Sequence, residues 1–424
     1  MKYSLGIDLG SSFTTACVYE YSADNSRTVF IKEEGEAKIP SVVYWGEQGP
    51  IFGKNAERKR EEAFSGENPE KSLDIFLATK DDFKRELNNS RPCITLRNGK
   101  NISYLGVCTE FFRYLKNLAE KQINQKKNNS EQIRFFSVCL THPVNFDPIQ
   151  LNILKEAAYL AGFTRGIRLI SEPVAAVWGY AALQNQNTNL RNAKGILAFD
   201  FGGGTLDIAY VEKQDDGNYI ADNMLCSGKN IGGKDIDRLL AREFIKKNNM
   251  QRRSSGAERN AEESAIMGAC ERLKVKLSEK TTHCERVRTL DGVLDYSMTR
   301  DLLEAILRSE KNHEQDIELD NKGSVSQMLQ DLLKKIAARN KKIDAIIPIG
   351  GSVRMPIVQD ILKNACPEGA TVCKLLDDDT AVACGAAVYG AHSSIFFKAQ
   401  ILLKQIAQWN QEMERLRNKI INYR

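Results

Sequence analysis

No run in this sequence stays apolar long enough to cross a bilayer, which takes about 20 residues, so no membrane association is expected. Met1-Lys2-Tyr3-Ser4-Leu5-Gly6-Ile7-Asp8 offers no secretory core, because Asp8 interrupts the apolar run at once. Histidine is scarce. His142, His283, His313 and His392 show no metal-ligand spacing, which argues against structural zinc. The ten cysteines contain no CxxC pair and are scattered through apolar segments. They read as buried reduced thiols of a cytoplasmic protein rather than as disulfides. Strong charge is lacking too: sixty Lys and Arg against fifty-five Asp and Glu leave +5. A nucleic-acid binder usually shows a clustered basic face, so no nucleic-acid partner is expected. What remains, 42% hydrophobic and 27% charged residues, is the balance of a globular chain. Its 424 residues suffice for two or three ordinary domains or for one large two-lobed unit.

The chain aligns with itself. Leu5-Gly-Ile-Asp8-Leu-Gly10-Ser-Ser-Phe-Thr-Thr-Ala-Cys-Val-Tyr-Glu20 matches, without gaps, Leu197-Ala-Phe-Asp200-Phe-Gly202-Gly-Gly-Thr-Leu-Asp-Ile-Ala-Tyr-Val-Glu212. In each copy a short apolar strand ends in Asp-x-Gly, a turn of small residues follows, and a second apolar strand returns. The pattern predicts two β-hairpins with a carboxylate at each tip, one on each of two facing lobes. Gly10, Gly202, Gly203 and Gly204 let backbone amides approach a phosphate. Ser11, Ser12 and Thr205 add hydroxyl donors, and Asp8 and Asp200 suit a hydrated magnesium ion. Turn geometry alone is the plainer reading of the same Asp and Gly residues.

A third glycine motif stands at Ala345-Ile-Ile-Pro-Ile-Gly350-Gly351-Ser352-Val-Arg354-Met-Pro356. A buried strand runs into two glycines, and Ser352 or a neighbour is expected to cap a helix beginning near Pro356. Amides at such a start favour an anion, and Arg354 is placed to lie flat against a purine ring.

With these motifs the chain resembles the nucleotide-binding domain of the seventy-kilodalton heat-shock chaperones (DnaK type), in the actin and sugar-kinase superfamily, from about Tyr3 to His392. Ile170-Ser-Glu172-Pro173-Val-Ala-Ala matches that family's connecting segment. Gly232-Gly-Lys-Asp235-Ile-Asp237 matches a glycine turn, Ala269–Ser278 the adenosine-contacting helix, and Asp379-Thr-Ala-Val-Ala-Cys-Gly385 a returning helix. The resemblance implies an α/β, actin-like fold of two ribonuclease-H-like lobes around a central cleft. It places lobe one at 1–194 and lobe two at 195–392, with 379–392 returning to lobe one. It implies ATP and ADP as ligands with magnesium, slow hydrolysis of ATP to ADP and phosphate, and a co-chaperone or nucleotide-exchange partner.

The resemblance also implies roles. Asp8, Asp200 and Glu172 hold magnesium, the last two through water, and Asp207 supports the second loop. Thr205 touches the terminal phosphate, and Lys84 places the attacking water, its ammonium offsetting phosphoryl charge. Gly232, Glu271, Lys274, Ser278, Gly350, Gly351, Ser352, Arg354 and Asp379 bind the nucleotide. Glu172-Pro173 also suits a plain helix start.

Three departures stand out. Val275 replaces an arginine that would sandwich adenine with Arg354, so nucleotide affinity is expected to be lower by about a kcal/mol or more. Asn145 and Leu151 replace a tyrosine and an arginine that relay nucleotide state. The residues after His392 are too few for the family's peptide-binding domain, which is expected to be absent. Instead Leu402, Ile406, Trp409, Met413, Leu416, Ile420 and Tyr423 step by four and three, a seam of about three heptads. Residues 393–424 therefore predict an amphipathic C-terminal helix that self-associates or docks on a partner helix through 398–424, or packs back on its own domain. Asn124–Glu131 and Asn248–Glu263 read as polar loops or exposed helix ends.

An ATP-hydrolysing switch of chaperone type is the first functional reading, and an ATP-dependent actin-like filament or scaffold is the second. Intact Asp8, Asp200, Glu172 and Thr205 speak against a pseudo-ATPase, and nothing marks a sugar-kinase pocket.

Overall fold

Both Asp-x-Gly segments form hairpins, and each sits at the centre of its own sheet. The computed structural model describes residues 3–22, 26–65, 74–127, 133–183, 190, 192–250, 256–289, 292–308, 324–375 and 380–394, with 399, 402, 406, 408–413 and 415 beyond them. In lobe one, Tyr3–Asp8 pairs antiparallel with Phe13–Glu20 and parallel with Phe135–His142. In lobe two, Gly195–Phe201 pairs antiparallel with Leu206–Lys213 and parallel with Ala345–Ile349. The first sheet runs Ile167–Ser171, Phe135–His142, Tyr3–Asp8, Phe13–Glu20, Arg27–Phe30. The second runs Tyr219–Lys229, Leu206–Lys213, Gly195–Phe201, Ala345–Ile349, Thr371–Val372. Their inner strands are buried on both faces, which explains the near-continuous apolar runs in sequence. Register places Thr15 opposite Asp8 and Asp207 opposite Asp200.

Two helices tie the lobes together. Glu172–Leu183 follows the last strand of the lobe-one sheet and packs on the strands of lobe two. Ala381–His392 follows lobe two and packs on the strands of lobe one. Both are apolar around their whole circumference, as helices buried on all sides must be. Their alanines and valines join Cys17 and Cys139 of one sheet and Ala198 and Ala209 of the other in a shared core. Small residues let the backbones touch. A Cβ at Gly385 would lie 1.7 Å from the Ala175 carbonyl oxygen, and one at Gly179 1.8 Å from that of Ala381. A Cβ at Gly6 would lie 2.2 Å from the Ala383 carbonyl oxygen. Because the obstacle is backbone, no rotamer change relieves it. Gly385→Ala is therefore expected to cost about 3 kcal/mol and to lower the thermal midpoint by roughly 5 °C or more. A melt indistinguishable from the parent chain would show that this crossing is loosely packed.

Two segments read as polar loops or exposed helix ends are helical in part, while Asn248 and Asn249 form a turn. The helix Tyr104–Lys127 continues through Asn124–Lys127, and Gly256–Glu263 belong to the long helix Gly256–Glu279. Lys, Glu, Gln and Arg are good helix formers. The first helix is also fixed by a buried stripe of Phe111, Phe112, Leu115, Ala119 and Ile123. Residues 128–131 and 251–255 of the two segments lie outside the described residues.

All ten cysteines are free thiols; six are buried and Cys284 is exposed. Among the described residues no helix is long and apolar enough to cross a membrane. At the C-terminus the described part of the seam is helical, with Leu402, Ile406, Trp409 and Met413 all exposed, Trp409 by 78%. These four side chains do not pack back on the lobes; Leu416, Ile420 and Tyr423 lie outside the described residues.

Candidate active site

A cleft of about 490 Å³ opens between the lobes. Its walls include Asp8, Gly10, Ser11, Ser12, Glu172, Asp200, Gly202, Gly203, Gly204 and Thr205 from the hairpins and connecting segment, with Lys84 beside them. Glu271, Lys274, Ser278, Gly350, Gly351, Ser352 and Arg354 also line it. Gly232 stands behind the second hairpin turn, where a Cβ would lie 2.5 Å from both Gly203 C and Gly204 N. Asp379 lies outside the described residues.

The two turns meet across the cleft. A Cβ on Gly204 would fall 2.1 Å from Ser11 Oγ, and one on Gly203 2.6 Å from Ser12 Oγ. The second turn is braced from behind. Gly233 N donates to the Gly202 carbonyl and Lys234 N to that of Gly203, at 3.0 and 2.9 Å. Ser352 Oγ also donates to the Gly202 carbonyl, at 2.8 Å. Ser352 therefore does not cap the following helix. A short 3-10 turn, Gly351–Arg354, intervenes, and Pro356–Ala365 begins after Met355 with no side-chain cap. Gly350 enters that turn at φ 89°, a conformation that suits glycine, and a Cβ there would meet the Phe201 carbonyl oxygen at 2.5 Å.

Lys84 lies on a single 3-10 turn, Phe83–Glu86, anchored by buried Phe83 against Phe111. Its ammonium is buried and stands 2.5 Å from Glu172 Oε1. Glu172 opens the helix Glu172–Leu183, so the residue is both a helix start and half of a buried ion pair. Thr141 Oγ1 donates to Asp8 at 2.7 Å, and the Val144 amide to Asp207 at 2.8 Å. The charges do not balance locally. Burial, with repulsion from Glu172, Asp207 and Asp8, pushes Asp200 well above the usual carboxylate range. Burial also raises Glu172, against the pull of Lys84. For Lys84 burial works against the charge, but Glu172 and Asp8 outweigh it and raise its pKa. Four carboxylates thus share one ammonium in a largely buried site, an arrangement that favours an added cation.

Magnesium fits these residues. Asp8, Asp200 and Glu172 all line the cleft, the last two buried. Among the described residues no cluster of carboxylate, imidazole or thiol groups cages a metal directly. Magnesium usually retains several waters and takes one or two carboxylates, so a direct cage is not required.

On the wall bearing the helix Gly256–Glu279, Lys274 lines the cleft and is anchored from behind. Its ammonium donates to the Gly233 carbonyl at 2.9 Å and to Asp237 at 2.8 Å. Asp237 is buried, which raises its pKa to about 6, and it needs that counter-charge. Ser278 Oγ donates to the Lys274 carbonyl one turn back. Val275 is half exposed and lines the cleft as Arg354 does. His142 is a packed residue: its ring stacks on Phe146 and Nδ1 pairs with the Pro143 carbonyl at 2.8 Å. Asn145 Nδ2 donates to Asn230 Oδ1 across the lobes, at 2.9 Å.

Sequence reasoning missed Thr141, the amide of Val144, and a salt bridge in which Arg85 grips both oxygens of Asp235 at 3.2 and 2.9 Å. The last had a signal, since each partner adjoins a motif already singled out.

Two sheets of one topology, exchanged helices and carboxylate-tipped turns on either side of a cleft define the actin-like ATPase fold. The family profile described as Hsp70 protein matches residues 4–420, and the chain belongs to the Hsp70 family. It is similar to the chaperone protein DnaK of Ureaplasma urealyticum, 28% identical over 396 residues covering 91% of this chain and 58% of that protein. It is also similar to a ribosome-associated molecular chaperone of Zygosaccharomyces rouxii, 26% identical over 92% of this chain and 61% of the relative. A third relative is the chaperone protein HscA homolog of Rickettsia typhi, 26% identical over 92% and 57%. The chain thus spans about three fifths of the length of these curated relatives.

Proposed function

We propose that this chain binds magnesium-ATP between its two hairpin turns and hydrolyses it slowly as a conformational switch. The observation carrying the reading is the convergence of Asp8 and Asp200 on one cleft that also holds the Lys84–Glu172 pair. Magnesium, when bound, neutralises phosphate charge and would be held by Asp8, Asp200 and Glu172, the last two through water. Backbone amides of Gly10 and of Gly202–Gly204 bind phosphate oxygens, and Thr205 holds the terminal phosphate. Glu172 and Lys84 position the attacking water, and the Lys84 ammonium stabilises charge on the phosphoryl group. Glu271, Ser278 and Arg354 flank the nucleoside, with only Val275 where a second cation would stack. Membership of the Hsp70 family supports ATP as the substrate. The test is phosphate release from ATP. It should require magnesium and stop with a chelator; no release under any metal condition would overturn the hydrolytic reading.

Because the lobes are joined through the Glu172–Leu183 and Ala381–His392 crossing, opening of the cleft is the motion a nucleotide-exchange partner or co-chaperone would act on. The mostly buried free thiols suit a reducing compartment, which supports a cytoplasmic location. The exposed stripe of Leu402, Ile406, Trp409 and Met413 favours self-association through residues 398–424, the feature a scaffold or filament would use. Light scattering should show a multimer that becomes a monomer when Ser393–Arg424 is removed. Equal masses, both monomeric, would exclude self-association and leave a different helical partner.

A further inference from the structure

Lys234 sits in the second position of the helix Gly233–Lys247 and reaches from lobe two into the cleft. Its own N–H binds the Gly203 carbonyl of the second turn, while its Nζ donates to the Ser11 carbonyl of the first, at 2.9 Å. The residue therefore touches both phosphate turns at the place where they meet.

The other contacts of this ammonium are long-range ion pairs rather than hydrogen bonds. Asp81 and Asp82 stand at 3.9 Å each, beyond hydrogen-bond distance. Both carboxylates are shared with arginines: Asp81 accepts from Arg60 at 3.0 Å, and Asp82 has Arg238 at 3.7 Å. Lys84 and Lys274, in the same cleft, are each held by a buried carboxylate. The side chain of Lys234 is 18% exposed and spends one N–H on a neutral carbonyl. A phosphate oxygen is a stronger acceptor for an ammonium than a peptide carbonyl.

We infer that Lys234 binds the terminal phosphate of a nucleoside triphosphate and makes the cleft prefer ATP over ADP. The inference rests on the nucleotide reading above and adds to it the residue that senses the third phosphate. The side chain leaves the Ser11 carbonyl for the phosphate, and its tie between the lobes then runs through the ligand. Loss of the terminal phosphate loosens that tie.

Calorimetry of the whole chain with MgATP and with MgADP tests this, using Lys234→Met and Lys234→Arg. Lys234→Met should weaken ATP binding by about tenfold and ADP binding by less than about twofold, the effect of one charge-assisted hydrogen bond. Lys234→Arg should keep most of the preference for ATP. Equal weakening of both nucleotides would make Lys234 an interlobe strut, and an unchanged ATP-to-ADP ratio would also overturn the inference. Either result leaves the nucleotide reading standing. A parent chain that takes up neither nucleotide would overturn both.

Discussion

Lys84→Ala should bind magnesium-ATP yet hydrolyse it about 100- to 1,000-fold more slowly, the usual effect of removing a preorganised charge from a transition state. The side chain is buried and touches Glu172, so its removal has two consequences of different origin. The catalytic one is loss of the cation that offsets phosphoryl charge and holds the water. The structural one is a buried carboxylate left without its partner, which typically costs about 3–5 kcal/mol; protonation of Glu172, whose pKa is already raised by burial, reduces that cost. Pairing Lys84→Ala with Glu172→Gln separates the two. The double variant should recover the thermal midpoint without recovering turnover. Single-turnover hydrolysis at the parent rate in Lys84→Ala would remove Lys84 from the mechanism.

Asp200→Asn should abolish magnesium-dependent turnover while making the nucleotide-free protein more stable. Asp200 is buried beside Glu172, Asp207 and Asp8, and its folded pKa is raised by burial first and by those charges second. Folding therefore opposes its ionisation. The sign follows from linkage. Below the ordinary carboxylate range Asp200 is protonated folded or unfolded, and it imposes no penalty. As pH rises above about 4, the unfolded chain ionises first, and folding stability falls until pH passes the raised folded value. An asparagine has no proton to lose, so the variant's advantage should be absent in acid and grow toward neutral pH. Thermal melts across that range measure it. A variant less stable than the parent at neutral pH would show that Asp200 is a satisfied structural carboxylate.

Much of this architecture was legible because its signals are local. An apolar strand ending in Asp-x-Gly specifies its own hairpin, and two copies specify two lobes, so Asp8, Asp200 and the glycines between Gly202 and Gly204 could be placed by turn chemistry alone. Glu172-Pro173 suited a helix start, and Glu172–Leu183 is a helix. What stayed hidden depends on partners distant in sequence. Ser352 looks like a helix cap until Gly202, 150 positions away, takes its hydroxyl. Lys274 lines the cleft, but the buried Asp237 that holds its ammonium lies 37 positions away. Thr141 carries no motif, and its bond to Asp8 exists only because two parallel strands place them side by side. The polar stretch Asn124–Lys127 reads as either a loop or an exposed helix end because composition reports solvent exposure, whereas the buried stripe before it decides for the helix.

The most direct test of the account is a crystal structure of the chain grown with a non-hydrolysable ATP analogue and magnesium. The triphosphate should lie between Gly10–Ser12 and Gly202–Gly204, with the metal's water shell within reach of Asp8 and Asp200. A nucleotide found instead in the basic hollow beside Lys116, Arg134 and Arg165, with the interlobe cleft empty, would contradict it.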